Sequence, residues 1–283
     1  MKTIGILLAV LMLVGCQTNK VVVEKEIGLL DTVKERGYLV CGVNAGLPGF
    51  ASEDDEGNWS GLDVDFCRAV SAAVFGDADK VEYLGLNAAQ RFPTLASGSI
   101  DILSRNTTWT ISRDVNLMFE FAGVSYYDGQ GFLVPASLGI TSARGLDGAF
   151  VCIASETTSE LNLNDYFAEN NMAYKPIYVE GNKDAKAKLF AGECDVFTTD
   201  ASGLASARAG AENPDDWVVL PEIMSKEPLG PLVRQGDQEW EDVVRWTLFA
   251  MINAEEMGIT SRNVDDMLAA QSKEVKRLLG VEG

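Results

Sequence analysis

Apolar and polar positions in the first half of the chain alternate between short apolar runs and stretches with helical spacing. Apolar runs of roughly four to eight residues are typical of buried strands, and apolar residues three and four positions apart are typical of amphipathic helices. Gly37 and Gly76 mark two helix ends, and Asp63 is the expected N-cap of the second helix. The predicted elements are helix 29–36, strand 38–43, helix 64–75, strand 80–86, helix 88–96 and strands 100–104 and 129–134.

A second alternating series occupies the rest of the chain. Its predicted elements are strand 149–153, helix 159–169, strand 174–179, helix 184–191, strand 195–198, helix 201–209 and strand 217–220. The segment 230–234 is expected to return to the first half, and residues 239–279 form a helical tail that is interrupted near residues 258–260. Two α/β halves predict two lobes, with a cleft at the carboxyl ends of their strands, where loops and helix N-termini meet.

The N-terminal segment has the pattern of an export signal rather than of folded structure. Lys2 is followed by an apolar run over residues 4–14 that is too short to span a bilayer, and Cys16 ends it after a small residue. This ending resembles the lipobox of bacterial lipoproteins, which implies cleavage before Cys16 and acylation of that cysteine. A simple secretory peptide with an incidental cysteine is the alternative. Residues 1–15 are thus expected to be removed, and residues 16–27 to tether the protein to a membrane.

Composition and charge restrict the function. The 283 residues suffice for one large domain or two modest ones, and 47% apolar with 23% charged residues is ordinary for a folded protein. With 42 acidic against 23 basic side chains, the formal net charge of −19 disfavours binding to nucleic acid. The chain has no histidine, which excludes histidine-bearing zinc or copper sites and histidine-based catalytic triads. We expect no metal site and no cofactor.

Four cysteines remain after the export signal: Cys41, Cys67, Cys152 and Cys194. An even number of cysteines in an oxidising compartment favours disulfides. Three pairings are possible, and four reduced, buried thiols are the alternative. We favour Cys41 with Cys67 and Cys152 with Cys194, because each of these bridges stays within one half of the chain.

Three spaced segments carry a family resemblance. They are GLDVDFCRAVSAAVFG over residues 61–76, RFPTLASGSIDILSRNTTWTISRD over residues 91–114 and CDVFTTD over residues 194–200. Together they resemble the periplasmic amino-acid-binding proteins of ABC importers, and most closely the general L-amino-acid-binding branch, whose members share the RNTTWT-x-SRD segment and a similar cysteine pattern. The resemblance covers nearly the whole exported chain, about residues 28–283. It is specific, because several spaced motifs agree in order and distance.

The resemblance implies an α/β type II periplasmic-binding-protein fold, with two α/β lobes, a two-strand hinge and a ligand cleft between the lobes. Lobe 1 is then formed by residues 28–133 plus 225–283, and lobe 2 by residues 134–224. The two hinge crossings are expected near residues 130–135 and 223–228.

Recognition of a free amino acid requires partners for both a carboxylate and an ammonium group, because both groups lose water on binding. By resemblance to the family, Arg113 grips the carboxylate, and its planar guanidinium can bind both oxygens. The family's further carboxylate donors fall on Thr108 and on the backbone around Asn106, and its ammonium-binding aspartate falls on Asp200. The alternatives are a surface ion pair for Arg113 and a simple helix N-cap for Asp200.

Lobe 2 is expected to contact the same ligand. Thr157 and Thr158 begin a helix, and the related family segment contributes hydroxyl and backbone donors to the ligand carboxylate. A capping box with Glu160 is the alternative. Glu156 stands where relatives commonly have glycine, which questions a close approach of the backbone to the ligand.

Four other residues are candidates for contact with the ligand. Asn44 and Phe50 lie in a loop that faces the ligand side chain in the family, although an ordinary turn with a buried Phe50 is the alternative. Arg91 and Arg105 match positions retained in the general L-amino-acid-binding branch, although each could instead bridge acidic neighbours.

These features predict a monomeric, lipid-anchored, extracytoplasmic solute-binding protein that captures free amino acids and delivers them to an ABC permease. No covalent chemistry is expected. One alternative is a periplasmic dehydratase-like enzyme on the same fold, for which Glu156 would be the acid or base to watch. The other is a ligand-sensing domain.

Overall fold

The computed structural model describes residues 28–269 and 272–281. The predicted export signal, the predicted acylation site Cys16 and the predicted tether lie outside the described residues. Within the two described ranges, no helix combines the length and the apolar composition that crossing a bilayer requires.

The described chain follows the alternating order of helices and strands that the sequence predicts. The helices are α1 (Leu29–Arg36), α2 (Leu62–Phe75), α3 (Ala88–Ala96), α4 (Thr158–Glu169), α5 (Asn182–Phe190), α6 (Ala201–Ala209), α7 (Gln238–Glu256), α8 (Val264–Met267) and α9 (Lys273–Leu278). The strands are β1 (Leu39–Asn44), β2 (Ser52–Glu53), β3 (Trp59–Ser60), β4 (Val81–Leu86), β5 (Ile102–Leu103), β6 (Phe119–Phe121), β7 (Tyr126–Asp128), β8 (Gln130–Pro135), β9 (Phe150–Ala154), β10 (Lys175–Val179), β11 (Val196–Asp200), β12 (Trp217–Val219), β13 (Glu227–Leu229) and β14 (Leu232–Arg234).

The first sheet has the strand order β4-β1-β5-β14-β6. Strand β1 is parallel to β4 and β5, whereas β14 is antiparallel to β5 and β6. The residues of β1 are almost all apolar because both faces of this strand are covered, and they share a core with α2 and α7 that includes Val64, Phe66 and Val244. The fully buried Trp240 indole donates to the carbonyl oxygen of Asp101 at 3.2 Å. This bond fixes the long C-terminal helix α7 to the first sheet.

The second sheet has the strand order β10-β9-β11-β8-β12. Strand β9 is parallel to β10 and β11, and β8 is antiparallel to β11 and β12. One apolar cluster joins this sheet to α4 through Leu163 and Phe167. Another joins it to α5 and α6 through Leu189 and Leu204. The second sheet therefore has its own core, separate from that of the first.

Two extended segments connect the sheets. Strand β7 lies in the chain between β6 of the first sheet and β8 of the second, and β13 lies between β12 of the second sheet and β14 of the first. The two segments pair antiparallel, with Tyr127 opposite Pro228. We call the first sheet with its helices lobe 1, the second sheet with its helices lobe 2, and the β7–β13 pair the hinge.

The first crossing lies earlier in the chain than the sequence indicated. We expected it near residues 130–135, with lobe 2 beginning at residue 134. Strand β8 is instead paired with β11 on one side and β12 on the other, so its residues belong to the second sheet. The chain crosses at Tyr126–Asp128, a segment of three residues that is too short to give a strand pattern of its own.

Helix α2 begins before the predicted start, so Asp63 is not its N-cap. Gly61 occupies the N-cap position with a φ of 125°, and a Cβ at that residue would lie 2.4 Å from the carbonyl oxygen of Phe50. Only glycine tolerates both this φ and this close approach. Asp63 lies in the first turn, where its buried carboxylate contacts the loop at residues 104–106.

The structure contains the two local disulfides. Cys41 of β1 is bonded to Cys67 of α2, with 6.4 Å between their Cα atoms. Cys152 of β9 is bonded to Cys194, with 5.8 Å between their Cα atoms. Each bridge joins elements of one lobe, so neither restricts movement of one lobe relative to the other.

Candidate ligand-binding site

A small polar cavity lies between the lobes, at the carboxyl ends of their parallel strands. Loops and helix N-termini converge at this edge of a parallel sheet, which is why such edges form binding sites. The volume of the cavity is about 50 Å³, and its narrowness results from the contact of both lobes around it. The cavity is lined by Asn44, Ala88, Arg91, Arg105, Asn106, Thr108, Arg113, Ala154, Thr157, Thr158, Ser159, Gly181, Asn182, Thr199 and Asp200.

The candidate site residues that the sequence indicated all lie around this cavity, with one exception. Phe50 belongs instead to a small apolar cluster with Leu47 and Leu229, and its ring meets that of Tyr126 edge-on at 5.3 Å between centroids. This placement matches the alternative of an ordinary turn with a buried phenylalanine. The residues that the structure brings together are Asn44, Arg91, Arg105, Asn106, Thr108 and Arg113 of lobe 1 and Thr157, Thr158 and Asp200 of lobe 2.

Three buried guanidinium groups form the lobe 1 wall of the cavity. Arg113 lies in a π-helical turn, Ser112–Asn116, and its Nη1 donates to the carbonyl oxygen of Thr108 at 2.7 Å. Because a guanidinium has five N–H donors, this bond leaves most of them for another partner. Arg105 donates through Nε to the carbonyl oxygen of Leu86 at 2.8 Å. The Nε of Arg91 is buried and has no hydrogen-bond partner in the described structure.

Burial is the largest cause of the pKa shifts of these three arginine side chains. It lowers the pKa of both Arg105 and Arg113 from 12.5 to about 10. Burial also lowers the pKa of Arg91 well below its usual range, and the charges of the other two guanidinium groups lower it further. A buried, unpaired N–H group costs free energy that a hydrogen bond would recover, so this wall is suited to an anion.

Asp200 is the acidic side chain in the lining of the cavity. It occupies the N-cap position of α6, yet its side chain makes no capping hydrogen bond there. Its carboxylate accepts instead from Nδ2 of Asn106 at 3.3 Å, across the boundary between the lobes. Burial, followed by the nearby charges of Asp128 and Glu227, raises the pKa of Asp200 from 3.8 to about 7. A cation bound beside this carboxylate would favour its ionised form.

The loop after β5 is held in shape by Asp63, for which the sequence alone indicates only a helix cap. The Asp63 carboxylate accepts from the backbone N–H of Asn106 at 2.9 Å and from the hydroxyl of Ser104 at 3.1 Å. Asn106 has a φ of 29°, a value that non-glycine residues rarely adopt. Nδ2 of Asn44 donates to Oδ1 of Asn106 at 2.9 Å, which directs Nδ2 of Asn106 to Asp200. Asp63 therefore positions Asn106, one of the predicted site residues, from outside the cavity lining.

Thr157 acts as a helix cap. Its hydroxyl oxygen accepts from the backbone N–H of Glu160 at 3.2 Å, and its hydroxyl donates to the carbonyl oxygen of Ala154 at 2.7 Å. The Glu160 carboxylate accepts from the N–H of Glu156 at 3.1 Å, a variant of the expected capping box. Glu156 has a φ of 60°, which explains why glycine suits this position, and its side chain is exposed outside the cavity lining.

Some residues around the site were not found from the sequence. Gly181, Asn182 and Thr199 follow or end parallel strands, so the rule that sites form at carboxyl strand ends would have indicated them. Glu227 contacts the cavity threonines from the hinge, and no sequence signal pointed to it. In residues 28–269 and 272–281, no group of three or more acidic or thiol side chains could hold a metal ion.

The chain is similar to bacterial proteins that bind solutes outside the cytoplasm. The model of the bacterial extracellular solute-binding proteins, family 3, matches residues 39–262. The chain is 56% identical over 253 residues to the general L-amino acid-binding periplasmic protein AapJ of Rhizobium johnstonii, covering 89% of this chain and 74% of that protein. It is 54% identical over 255 residues to the glutamate/glutamine/aspartate/asparagine-binding protein BztA of Rhodobacter capsulatus, covering 90% of this chain and 75% of that protein.

A solved structure agrees with these sequence comparisons. A periplasmic binding protein of an ABC transporter from Brucella ovis, solved with glutathione bound, matches 90% of this chain and 80% of its own, with a TM-score of 0.87 and 54% identity. The resemblance and the fold class inferred from the sequence motifs are therefore confirmed.

Proposed function

The chain belongs to the bacterial extracellular solute-binding proteins, family 3, and we propose that it captures free amino acids outside the cytoplasm and delivers them to an ABC permease. The observation that carries this proposal is the placement of a buried guanidinium and a buried carboxylate, from different lobes, around one cavity. The names of the relatives that it resembles support the ligand class, since both describe amino-acid-binding proteins.

The two ends of an amino acid match the two walls of the cavity. Arg113 of lobe 1 binds the α-carboxylate, because a guanidinium offers parallel N–H donors to both carboxylate oxygens. Asp200 of lobe 2 binds the α-ammonium group. Glutathione, found in the Brucella ovis structure, carries the same free carboxylate and ammonium groups on its glutamyl residue, which supports recognition of this head group.

The charge of the cavity favours ligands with an acidic or amide side chain. Its lining contains three basic side chains and one acidic side chain, so a ligand with a second carboxylate balances the charge best. Arg91, whose buried Nε has no partner in the described structure, is the group that we assign to the ligand side chain. The name of BztA agrees with this ligand class.

Binding requires the lobes to separate and close again. The hydroxyl oxygens of Thr108 and Thr158 are 3.3 Å apart across the cavity, so the ligand enters only when lobe 2 moves away from lobe 1 about the hinge. Because the ligand contacts both lobes, it binds the closed form better and shifts the open–closed equilibrium toward that form. The permease then recognises the closed form.

The protein works outside the cytoplasm, as its family does, and the two disulfides suit an oxidising compartment. We further propose that it is a monomer anchored to the membrane through acylated Cys16.

Catalysis is not part of the proposal. The carboxylate that a dehydratase would need at Glu156 lies outside the cavity lining, and no observation favours a sensory role.

A ligand screen tests this function directly. In a thermal-shift assay of the twenty amino acids, we expect the largest stabilisation from glutamate, aspartate, glutamine and asparagine, and far less from the matching 2-oxo acids. A ligand at 100 times its Kd stabilises the folded state by about 2.7 kcal/mol. Arg91→Gln should reduce glutamate binding at least tenfold relative to leucine binding, since a hydrogen bond to a charged group contributes roughly 1.5–3 kcal/mol.

The matched control is Arg68→Gln, which changes an arginine on the outside of α2 that is 42% exposed. This variant should bind every ligand as the wild type does. The proposed function is wrong if no amino acid stabilises the wild-type protein, or if the 2-oxo acids stabilise it equally well.

The support that Asp63 gives to Asn106 leads to a second prediction. Asp63→Ala should weaken amino-acid binding about tenfold although Asp63 lies outside the cavity lining, because the backbone N–H of Asn106 loses its partner. Asp65→Ala, on the same helix but with a side chain that is 62% exposed, should leave the affinity unchanged. Titration calorimetry measures both, and equal affinities in the two variants would contradict the supporting role.

A further inference from the structure

Glu227 is a buried carboxylate at the start of the hinge strand β13. It accepts hydrogen bonds from side chains of both lobes. Its Oε2 accepts from the hydroxyl of Thr108 at 2.6 Å and from the hydroxyl of Thr158 at 3.0 Å. Its Oε1 accepts from Nδ2 of Asn162 at 2.7 Å and from the hydroxyl of Ser225 at 2.5 Å. Both oxygens are thus occupied by donors.

These contacts determine the direction of two hydroxyl protons. A threonine hydroxyl has one proton and two lone pairs. Both Thr108 and Thr158 are placed to donate their single proton to Glu227, and a hydrogen bond to a charged acceptor is stronger than one between two neutral hydroxyls. The 3.3 Å contact between the two threonines therefore does not compete with Glu227 for these protons. Both hydroxyl oxygens are left as acceptors at the cavity wall.

We propose that Glu227 is a positioning residue for amino-acid binding: it turns Thr108 and Thr158 into hydrogen-bond acceptors, and so selects ligands that carry an ammonium group. An ammonium group has three N–H donors, and Asp200, Thr108 and Thr158 supply three acceptors around one cavity. This inference rests on the proposed function and changes one part of it, because the family resemblance assigned these threonines to the ligand carboxylate.

The hinge location gives Glu227 a second effect. Thr108 belongs to lobe 1, where its loop is joined to the hinge by hydrogen bonds such as that from the N–H of Trp109 to the carbonyl oxygen of Pro228 at 2.8 Å. Thr158 is the first residue of α4 in lobe 2. Both hydroxyls reach the same carboxylate oxygen, so the pair of acceptors is complete only when the lobes are closed.

Glu227→Gln tests this assignment with little change in shape. The amide replaces one acceptor oxygen with an NH₂ group, so it cannot accept from all four neighbouring donors. Nδ2 of Asn162 cannot accept a hydrogen bond and also donates to Oε1 of Gln130 at 3.0 Å, so the NH₂ group faces the threonines, whose hydroxyls can turn. The threonine hydroxyls then turn a proton toward the cavity and no longer accept from the ligand. We expect the affinity for L-glutamate to fall about tenfold or more, as for one lost hydrogen bond to a charged group. The affinity for 2-oxoglutarate, which has no ammonium group, should change less than about threefold.

Glu222→Gln is the matched control. Glu222 precedes the hinge in the same segment and accepts from Ser142 at 2.5 Å, away from the cavity. This variant should keep the wild-type ratio of affinities for L-glutamate and 2-oxoglutarate. A residue with a purely structural role would affect both ligands alike, so the ratio separates positioning from general damage.

Thr158→Val provides a second route if Glu227→Gln does not fold. It should lower the same affinity ratio, and Thr158→Ser should restore it because serine keeps the hydroxyl. If Glu227→Gln folds, Thr158→Val should lower the affinity for L-glutamate much less in the Glu227→Gln protein than in the wild type. The reason is that the Thr158 hydroxyl is no longer held as an acceptor in that protein.

The outcomes distinguish this inference from the proposed function. If the wild-type protein binds no amino acid, the proposed function is wrong and this inference falls with it. If the wild type binds L-glutamate but neither Glu227→Gln nor Thr158→Val lowers the ratio, this inference alone is wrong.

Discussion

Arg113→Ala is expected to remove most amino-acid binding. Arg113 is buried, and we assign its guanidinium to the ligand's α-carboxylate. Removal of one partner of a buried ion pair costs about 3–5 kcal/mol, because the other charge is left without compensation. The affinity should therefore fall at least about a hundredfold. Arg113→Lys keeps the positive charge but loses the planar pair of donors, so an intermediate loss is expected.

Titration calorimetry with L-glutamate measures these losses. Arg68→Ala, at the exposed arginine of α2, is the control for loss of one positive charge and should bind as the wild type does. Thermal unfolding of each variant without ligand establishes that it is folded. A folded Arg113→Ala protein with wild-type affinity would show that another group binds the carboxylate.

Asp200→Asn is expected to weaken amino-acid binding and to remove most of its dependence on pH. The pKa of Asp200 is raised to about 7, chiefly by burial, whereas the ligand's ammonium group pairs only with the ionised carboxylate. Below about pH 7, binding must therefore release a proton from Asp200, and wild-type affinity should fall about tenfold for each pH unit. Above about pH 7 the affinity should level off.

The raised pKa of Asp200 affects the stability of the folded protein in the opposite direction from ligand affinity: stability falls as the pH rises. Because the pKa of Asp200 in the folded protein lies above its ordinary value of 3.8, the folded state loses stability as pH rises from about 4 to about 7. Asparagine does not titrate and avoids this loss. At pH 8 and without ligand, Asp200→Asn should therefore be at least as stable as the wild type, although it binds amino acids more weakly.

Two measurements check the assignment of Asp200. Calorimetry in buffers with different ionisation enthalpies counts the protons released on binding, and should find release at pH 6 in the wild type but much less in Asp200→Asn. Titration with 2-oxoglutarate should find a far smaller loss for this variant than titration with L-glutamate. Equal losses for the two ligands would mean that Asp200 does not bind the ammonium group.

Much of the fold could be predicted from the pattern of apolar residues. Helices α1, α3 and α6 have the predicted bounds, and most strands of the two sheets lie within a few residues of their predicted positions. Strand β6 of the first sheet has no predicted counterpart. Long segments can be assigned in this way because the spacing of their apolar residues fits either a helix or a strand, but not both. The type II fold itself required the spaced motifs, because periodicity alone does not determine how two α/β halves are connected.

The supporting parts of the site could not be predicted in the same way. Asp63 was interpreted as a cap because its position before a helix has a common local explanation, whereas its role depends on Asn106, which is 43 residues away. Glu227 lies on a strand of three residues, too short for a period, and its partner Thr108 is 119 residues away. Phe50 was wrongly placed at the ligand for a different reason. An apolar residue in a loop gives the same sequence pattern whether it packs inward or faces a ligand.

A crystal structure of the protein with L-glutamate tests the central claim most directly. We expect the α-carboxylate to lie within hydrogen-bonding distance of the Arg113 guanidinium from lobe 1, and the ammonium group to contact Asp200 from lobe 2. A complex in which one lobe alone holds both ends of the ligand, or in which either side chain points away from it, would contradict the account.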